Sequence, residues 1–124
     1  MTQRNIPETF PQTAQALWTV GPGQLEIRGA AIPGPDAGSV SVRALWSAVS
    51  LGTERLVLAG EVPESERERM RAPFQEGDFP FPVKYGYACV GEIAGGDASR
   101  LGEIVFCLHP HQSLFNIPAN AAVP

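Results

Sequence analysis

The stretch LEIRGAAIPGPDAGSVSVRALWSAVSLGTE, residues 25–54, carries the pattern that decides the fold. Apolar and polar residues alternate twice around it, in QLEIR at Gln24–Arg28 and again from Val40 towards Val49. A loop rich in proline and glycine, Ile32–Gly38, separates the two runs. Because a period of two places alternate side chains on opposite faces, this stretch predicts two half-buried β-strands.

The same signals recur on both sides of this stretch. Ala14–Val20 predicts a strand that forms a hairpin with Gln24–Arg28 through the turn at residues 21–23. Further strands are predicted towards the C-terminus, at Tyr85–Ala94, Glu103–Leu108 and Leu114–Ile117. About seven short strands joined by turns are typical of a small barrel or sandwich, so the predicted fold class is mainly β.

Helix is predicted in only two places. Leu51–Leu58 has Thr53 as a candidate cap, and the charged run Glu61–Arg71 has Ser65 as a candidate N-cap. Between this run and the next strand, Ala72–Val83 holds three phenylalanines and three prolines. Prolines exclude a central strand, so this segment is predicted to be a loop that either covers an edge of the core or lines a pocket.

Composition narrows the function classes. The chain has 124 residues and a net charge of −4, and it shows no cluster of Lys or Arg, which makes nucleic acid and anionic membranes poor candidate partners. Residues 1–13 are predicted to be a flexible leader that lacks the apolar region of a signal peptide. Two cysteines do not make a disulfide framework. These observations predict a cytoplasmic protein without a membrane span.

Four motifs, in order, resemble the medium-chain dehydrogenase/reductase family, whose members are alcohol dehydrogenase-like. They are residues 25–54, GYACVGE at Gly86–Glu92, GEIV at Gly102–Val105 and FNIPA at Phe115–Ala119. The resemblance implies that residues 14–124 form a GroES-like small β-barrel with short helices, a domain that precedes a Rossmann domain in the family. The Rossmann domain is expected to be absent here, because the chain contains no G-x-G-x-x-G fingerprint.

The resemblance also indicates that no zinc is bound. Leu51 stands where zinc-dependent members have a Cys ligand, and Tyr87 and Ala88 stand where they have a His-Glu pair. Leucine and alanine offer no lone pair, and a neutral phenol is a poor zinc ligand. The four close cysteines of the family's structural zinc lobe are missing as well.

The resemblance implies four candidate catalytic residues. Thr53 matches the family's proton-relaying hydroxyl, and Glu54 matches the acid that would otherwise hold the ligating histidine. Tyr87 could donate a hydrogen bond to Glu54, and His109 falls at a position that often lines the substrate pocket. Either Tyr87 or His109 could protonate a carbonyl or an enone. Equally, Tyr87 could be a core tyrosine, Thr53 only a cap, and His109 a loop residue fixed by Pro110.

A competing site consists of Cys107, His109 and His111. At spacings of two residues on a strand they would share one face, and a thiolate with two imidazoles suits zinc. Pro110 argues against it, because proline disturbs strand geometry.

Two functions follow as expectations. The first is the substrate-binding half of a zinc-independent, NAD(P)-dependent oxidoreductase, inactive without its nucleotide-binding domain, with NAD(P) bound only in the full-length enzyme. Its substrate would be a small molecule, bulky and apolar or aromatic, in a pocket shaped by Glu61–Val83. A bare cleft wall near Tyr87 and Phe79–Phe81 would favour a homodimer. The alternative is a stand-alone GroES-like interaction module without enzymatic activity.

Overall fold

A computed structural model of the protein describes residues 7–124, and it confirms the mainly β fold class. Eight strands form two four-stranded antiparallel sheets, in the orders β2-β1-β5-β4 and β7-β6-β3-β8. A single α-helix of nine residues, α1, lies between β3 and β4 in the described part of the chain. The element bounds are β1 Gln12–Gly21, β2 Gln24–Ile32, β3 Ser39–Ser47, α1 Leu51–Ala59, β4 Glu76–Gly77, β5 Val83–Lys84, β6 Cys89–Gly95, β7 Ile104–Cys107 and β8 Leu114–Pro118.

The second sheet carries the larger core. Val40 and Val42, the alternating residues of β3, are fully buried, as their pattern predicts. They pack with apolar residues of the other three strands, among them Ile93, Val105 and Phe115. A separate cluster joins α1 to the first sheet through Val57, Phe79, Val83 and Tyr85. The backbone of β3 pairs with β6 and β8 at its two edges, and the apolar side chains of the four strands bury one another.

The predicted β1–β2 hairpin is confirmed, with Ala14 opposite Ala30, but the expected burial of its second strand is wrong. Leu25 and Ile27 are 54% and 59% exposed. The reason is that β2 lies at the edge of its sheet and its apolar side faces an open cleft.

Strand Tyr85–Ala94 is only partly confirmed. The chain pairs with β1 at Val83–Lys84, changes sheets through residues 85–88, and pairs with β3 from Cys89. Gly86 lies at this crossover with a φ of +135°, a conformation that side chains other than glycine rarely adopt.

Both helix caps predicted from the sequence are wrong. Helix α1 has Ser50 at its N-cap position, and Thr53 lies inside the first turn. The Glu54 carboxylate accepts a hydrogen bond from the Ser50 backbone N–H at 2.7 Å, which satisfies a donor of the helix start. Glu61–Arg71 contains a single 3₁₀ turn at Glu64–Glu66, which has Pro63 at its N-cap position and no side-chain cap.

The aromatic loop takes both roles that its sequence left open: Phe79 and Phe81 cover an edge of the core, and Phe74 lines a groove with Phe106 and Leu108. Phe79 is 8% exposed and packs on Tyr85 with ring centroids 5.5 Å apart. Phe81 packs over Gly60, where an added β-carbon would lie 2.3 Å from its ring. The apolar patch expected at Phe79–Phe81 is therefore not found there.

Residues 1–6 of the predicted leader lie outside the described residues. In the remainder, β1 already begins at Gln12, and the backbone N–H of Glu8 donates to the Ala94 carbonyl at 3.0 Å. The Glu8 carboxylate also pairs with Arg43, which lowers the pKa of Glu8. The described residues before β1 are thus bonded to the second sheet. Among the helices of residues 7–124, none has the length and apolar character to cross a bilayer.

Candidate active site

An apolar cavity of about 210 Å³ opens between β1, β2 and α1. Its lining is almost entirely apolar, with one acid and one imidazole among the side chains. The lining residues are Leu17, Thr19, Leu25, Val49, Glu54, Val57, Leu58, Tyr85 and His111. An apolar concave site with a few convergent polar groups is the usual form of a small-molecule site.

A second, more open cavity of about 300 Å³ adjoins the first. The two share Leu17 and His111, so that His111 stands between them. Ser47, Trp46 and the exposed Ile27 also line the second cavity. We refer to the two cavities together as the cleft.

Glu54 and His111 form a buried pair in the wall of the cleft. The distance from His111 Nε2 to Glu54 Oε1 is 2.6 Å, and the two side chains are only 13% and 11% exposed. The second oxygen of Glu54 is held by the Ser50 N–H. An ionised carboxylate only accepts hydrogen bonds, so the pair requires the proton on His111 Nε2.

Ser47 extends this pair towards solvent. Its hydroxyl contacts His111 Nδ1 in a short hydrogen bond, and it lies 3.5 Å from the Ala88 carbonyl oxygen. With the proton on Nε2, neutral His111 presents a lone pair on Nδ1, which accepts the Ser47 O–H. The side chains of Ser47, His111 and Glu54 thus form one hydrogen-bonded row from an exposed hydroxyl to a buried carboxylate.

Backbone contacts fix His111 in this position. Its N–H donates to the Tyr85 carbonyl at 3.3 Å, and its own carbonyl accepts from the Leu17 N–H at 3.0 Å. The imidazole lies against Gly86, where an added β-carbon would come within 2.8 Å of ring atoms Cδ2 and Nε2. The missing side chain at Gly86 is what leaves room for the ring.

Tyr85 lies beside the pair in the lining of the first cavity. Its hydroxyl donates to the Met70 carbonyl at 2.6 Å, which ties the residue 61–83 segment to the back of the cleft. Burial, with smaller contributions from the neighbouring Tyr87 and Glu54, raises the pKa of Tyr85 to about 12. The phenol therefore stays neutral around pH 7.

Of the four predicted catalytic residues, Thr53, Tyr87 and His109 are not in the lining of the cleft. Glu54 is the one that lines the cleft. Thr53 lies half-buried on the first turn of α1, and Tyr87 packs half-buried with its ring edge on Tyr85, centroids 6.0 Å apart. The Glu54 oxygens bind His111 and Ser50 in place of the expected Tyr87 hydroxyl.

His109 lies in the core, away from Glu54. It is 4% exposed and stacks on Phe115 with centroids 3.6 Å apart, while Phe74 stacks on it at 5.5 Å. Its Nδ1 is 2.9 Å from the Pro110 carbonyl oxygen, so Nδ1 carries the proton. Burial lowers the pKa of His109 to about 4.

The competing metal site is not assembled. Cys107 lies buried opposite Cys89, His109 lies between phenylalanines, and His111 faces the cleft. Within residues 7–124, no three His, Cys, Asp or Glu side chains come together in a way that could hold a metal ion. Leu51, at the position matching a zinc ligand, is 73% exposed and has no donor atom, so the residues present do not fit a catalytic zinc.

Sequence reasoning missed Ser47 and considered His111 only as a metal ligand. One signal could have identified His111. Glu54 matches an acid that holds a histidine, and the chain contains only two histidines. No local pattern identifies Ser47, which lies 64 residues from its partner.

Solved structures of other proteins share the fold of this chain. Neither a protein-family model nor a curated protein matches the chain. Among solved structures, one described as a short-chain alcohol dehydrogenase from E. coli CFT073, complexed with its cofactor NADH, matches with a TM-score of 0.62 and 18% identity. The human synaptic vesicle membrane protein VAT-1 homolog-like protein matches at 0.58 and 17%, and the quinone oxidoreductase from Coxiella burnetii at 0.56 and 15%.

These matches cover 89–90% of this chain but only 35–37% of the matched chains. Identities this low carry information about the fold alone. The chain therefore has the mainly β fold of one part of alcohol dehydrogenase and quinone oxidoreductase chains.

Proposed function

We propose that this chain is the substrate-binding part of a zinc-independent, NAD(P)-dependent oxidoreductase of the medium-chain dehydrogenase/reductase type, with a GroES-like fold. One observation carries the proposal. An apolar cleft walled by a buried Glu54–His111 pair lies on a fold that is shared with an NADH-bound alcohol dehydrogenase. Such a cleft can bind a carbonyl compound, and its polar side chains can donate a proton to the carbonyl oxygen or accept one from it.

The nucleotide would bind outside this chain. A pyrophosphate needs a glycine turn that opens onto a free helix N-terminus. In the described residues the only α-helix is α1, and its N-terminus is already occupied by the Glu54 carboxylate. The residues present therefore do not fit a dinucleotide, and the chain alone is expected to be inactive. In the complete enzyme the nicotinamide supplies or accepts the hydride.

The substrate is proposed to be bulky and apolar or aromatic. The first cavity offers Leu17, Leu25, Val49 and Val57 to such a body, and Thr19 is one of its few polar residues. The residue 61–83 segment supports this wall from behind, through Tyr85 and Met70, which revises its predicted role as the pocket lining.

Zinc independence rests on the chemistry of the residues at the ligand positions. Leu51, Tyr87 and Ala88 cannot supply three zinc ligands. A cytoplasmic location is part of the same proposal, supported by two cysteines that face each other on paired strands and remain free thiols.

The test is a protein in which this domain is followed by a nucleotide-binding domain. NAD(P)H consumption is followed with naphthaldehyde, anthraldehyde and a naphthoquinone as probes, with and without a strong zinc chelator. We expect turnover that the chelator leaves unchanged and that the 124-residue chain alone does not show. Turnover abolished by the chelator contradicts zinc independence. No turnover with any probe, together with a ring-shaped assembly of the chain, favours the interaction module instead.

A further inference from the structure

We infer that Ser47, His111 and Glu54 form a proton relay, in which the Ser47 hydroxyl exchanges a proton with the substrate oxygen and Glu54 positions His111. This inference rests on the proposed function and changes its chemistry. It replaces Tyr87 and His109, the donors expected from the sequence, with a row of residues that the fold assembles at the cleft.

The three side chains become more buried from Ser47 to Glu54, so that one end of the relay can reach a substrate. Ser47 is exposed at the second cavity, whereas the His111 and Glu54 side chains are 13% and 11% exposed behind it. A hydrogen bond gains strength where water is largely excluded, so the Glu54 carboxylate holds the Nε2–H of His111 more firmly than a surface carboxylate would. The hydroxyl remains accessible to a substrate in the cleft.

Three separate elements hold the three residues. Ser47 ends β3, Glu54 lies in the first turn of α1, and His111 lies between β7 and β8. Backbone hydrogen bonds hold two of these residues in place: Ala48 N–H donates to Ala88 O at 2.9 Å next to Ser47, and Leu17 N–H donates to His111 O at 3.0 Å. The geometry is therefore preorganised by the sheets and does not depend on one mobile loop.

Few other charges act on His111. Glu54 is the charged group in direct contact with it. Tyr85, which packs beside the pair, is a neutral phenol bonded to Met70. The neighbouring Lys84 is turned towards Glu76 and Gln112. Glu54 is therefore the charged group that orients the His111 ring.

The proton balance is as follows for carbonyl reduction. A nicotinamide bound outside this chain would supply the hydride to the carbonyl carbon, and the electron pair of the C=O π bond would move to oxygen. That oxygen takes the Ser47 O–H proton, and Ser47 Oγ takes the Nδ1–H proton of protonated His111. His111 ends neutral with its remaining proton on Nε2, hydrogen-bonded to Glu54, and solvent restores the second proton. Alcohol oxidation runs the same transfers in reverse.

A purely structural role is the alternative, in which the pair only ties α1 to the segment between β7 and β8. A buried ion pair is weak evidence for stability, because an apolar pair of the same volume is often as stable. Turnover measurements and the tautomer of His111 distinguish this structural role from a proton relay.

The first experiment locates the protons on the 124-residue chain, without any cofactor. Long-range ¹H–¹⁵N spectra at about pH 9, where an ordinary imidazole is neutral, report the tautomer of each histidine. We expect opposite tautomers, with the proton on Nε2 in His111 and on Nδ1 in His109. His109→Phe assigns the two signals, and Ser47→Ala should shift Nδ1 of His111. A His111 proton on Nδ1, or no shift in Ser47→Ala, overturns the relay.

The second experiment measures turnover in the two-domain protein. Ser47→Ala should lower kcat by roughly 10²-fold with little change in KM, and Ser47→Thr should restore most of it. Ser99→Ala is the matched control, because the Ser99 hydroxyl donates to Asp97 in the turn between β6 and β7, outside the cleft. Unchanged kcat in Ser47→Ala overturns the relay. A wild-type protein that is inactive despite the expected tautomers contradicts the proposed function instead.

Discussion

The imidazole of His111 lies so close to the α-carbon of Gly86 that a β-carbon there would come within 2.8 Å of ring atoms Cδ2 and Nε2. Gly86→Ala should therefore displace His111 from Glu54 and also strain a backbone with φ of +135°. We expect a loss of about 1–3 kcal/mol in the free energy of unfolding, measured by urea titration, and a loss of the Nε2 tautomer of His111.

Gly52→Ala is the matched control for this substitution. Gly52 lies in the first turn of α1, and an added β-carbon would meet no atom within 4 Å. Because alanine favours helix over glycine, we expect stabilisation of up to about 1 kcal/mol. If Gly86→Ala were as harmless as Gly52→Ala, the close approach of His111 would be contradicted.

His109 should make the fold sensitive to acid. Burial lowers its pKa to about 4, below the ordinary value of 6.5, so the unfolded chain binds a proton more readily than the folded one. Stability is then lost as pH falls from about 6.5 to about 4, by about 3 kcal/mol. His109→Phe keeps an aromatic ring between Phe74 and Phe115 and removes this proton.

Urea titrations of both proteins at neutral pH and near pH 4 provide the measurement. We expect the acid loss of the wild type to exceed that of His109→Phe by the amount given, since all other titrating groups are shared. Equal losses in the two proteins would place His109 in a solvated position instead.

The thiols of Cys89 and Cys107 should be unreactive in the folded protein. They are buried and lie directly opposite on β6 and β7. Burial raises the pKa of both, and that of Cys107 to about 11, so little thiolate exists near neutral pH. An aromatic disulfide reagent should label both sites only after denaturation. Rapid labelling of either site under native conditions would contradict this burial.

The exposed apolar residues beside the cleft should control self-association. Leu45 and Trp46 at the end of β3 are 47% and 75% exposed, next to the exposed Val49 and Leu51. Leu45→Ser and Trp46→Ser should each weaken any homodimer, because they remove apolar area from the interface. Sedimentation measured over a range of concentrations reports the change.

Leu108→Ser is the control, since Leu108 is 48% exposed but lies by a different groove, with Phe106 and Val123. We expect no effect of this substitution on self-association. A dimer that is abolished only by Leu108→Ser would assign the interface to that other groove.

The sequence predicted the parts of the fold that depend on local alternation. Val40 and Val42 are buried because they point into the core of the second sheet, and alternation is a sufficient signal there. The same alternation predicts burial of Leu25 and Ile27, but both are exposed, because an edge strand can turn its apolar side to a cleft. The pattern of residues 85–94 predicts one strand although the chain changes sheets at residues 85–88, because such a change does not alter the hydropathy pattern.

The site was harder to predict than the fold. Glu54 was identified by its place in a motif, but its partner His111 lies 57 residues away and comes from another element. His109 was chosen over His111 by position along the chain, whereas the fold turns the two rings to different surroundings. A single sequence contains no direct signal of such long-range contacts.

The tripeptide His109–Pro110–His111 joins the stacked core to the cleft within three residues. Its first ring is clamped by Phe115, and its third residue carries the imidazole that contacts Glu54. Natural selection acting on proton chemistry at the cleft would therefore also constrain Phe115, which touches no substrate. A substitution at this core position would therefore lower the melting temperature and, through the same three residues, also displace the imidazole at the cleft.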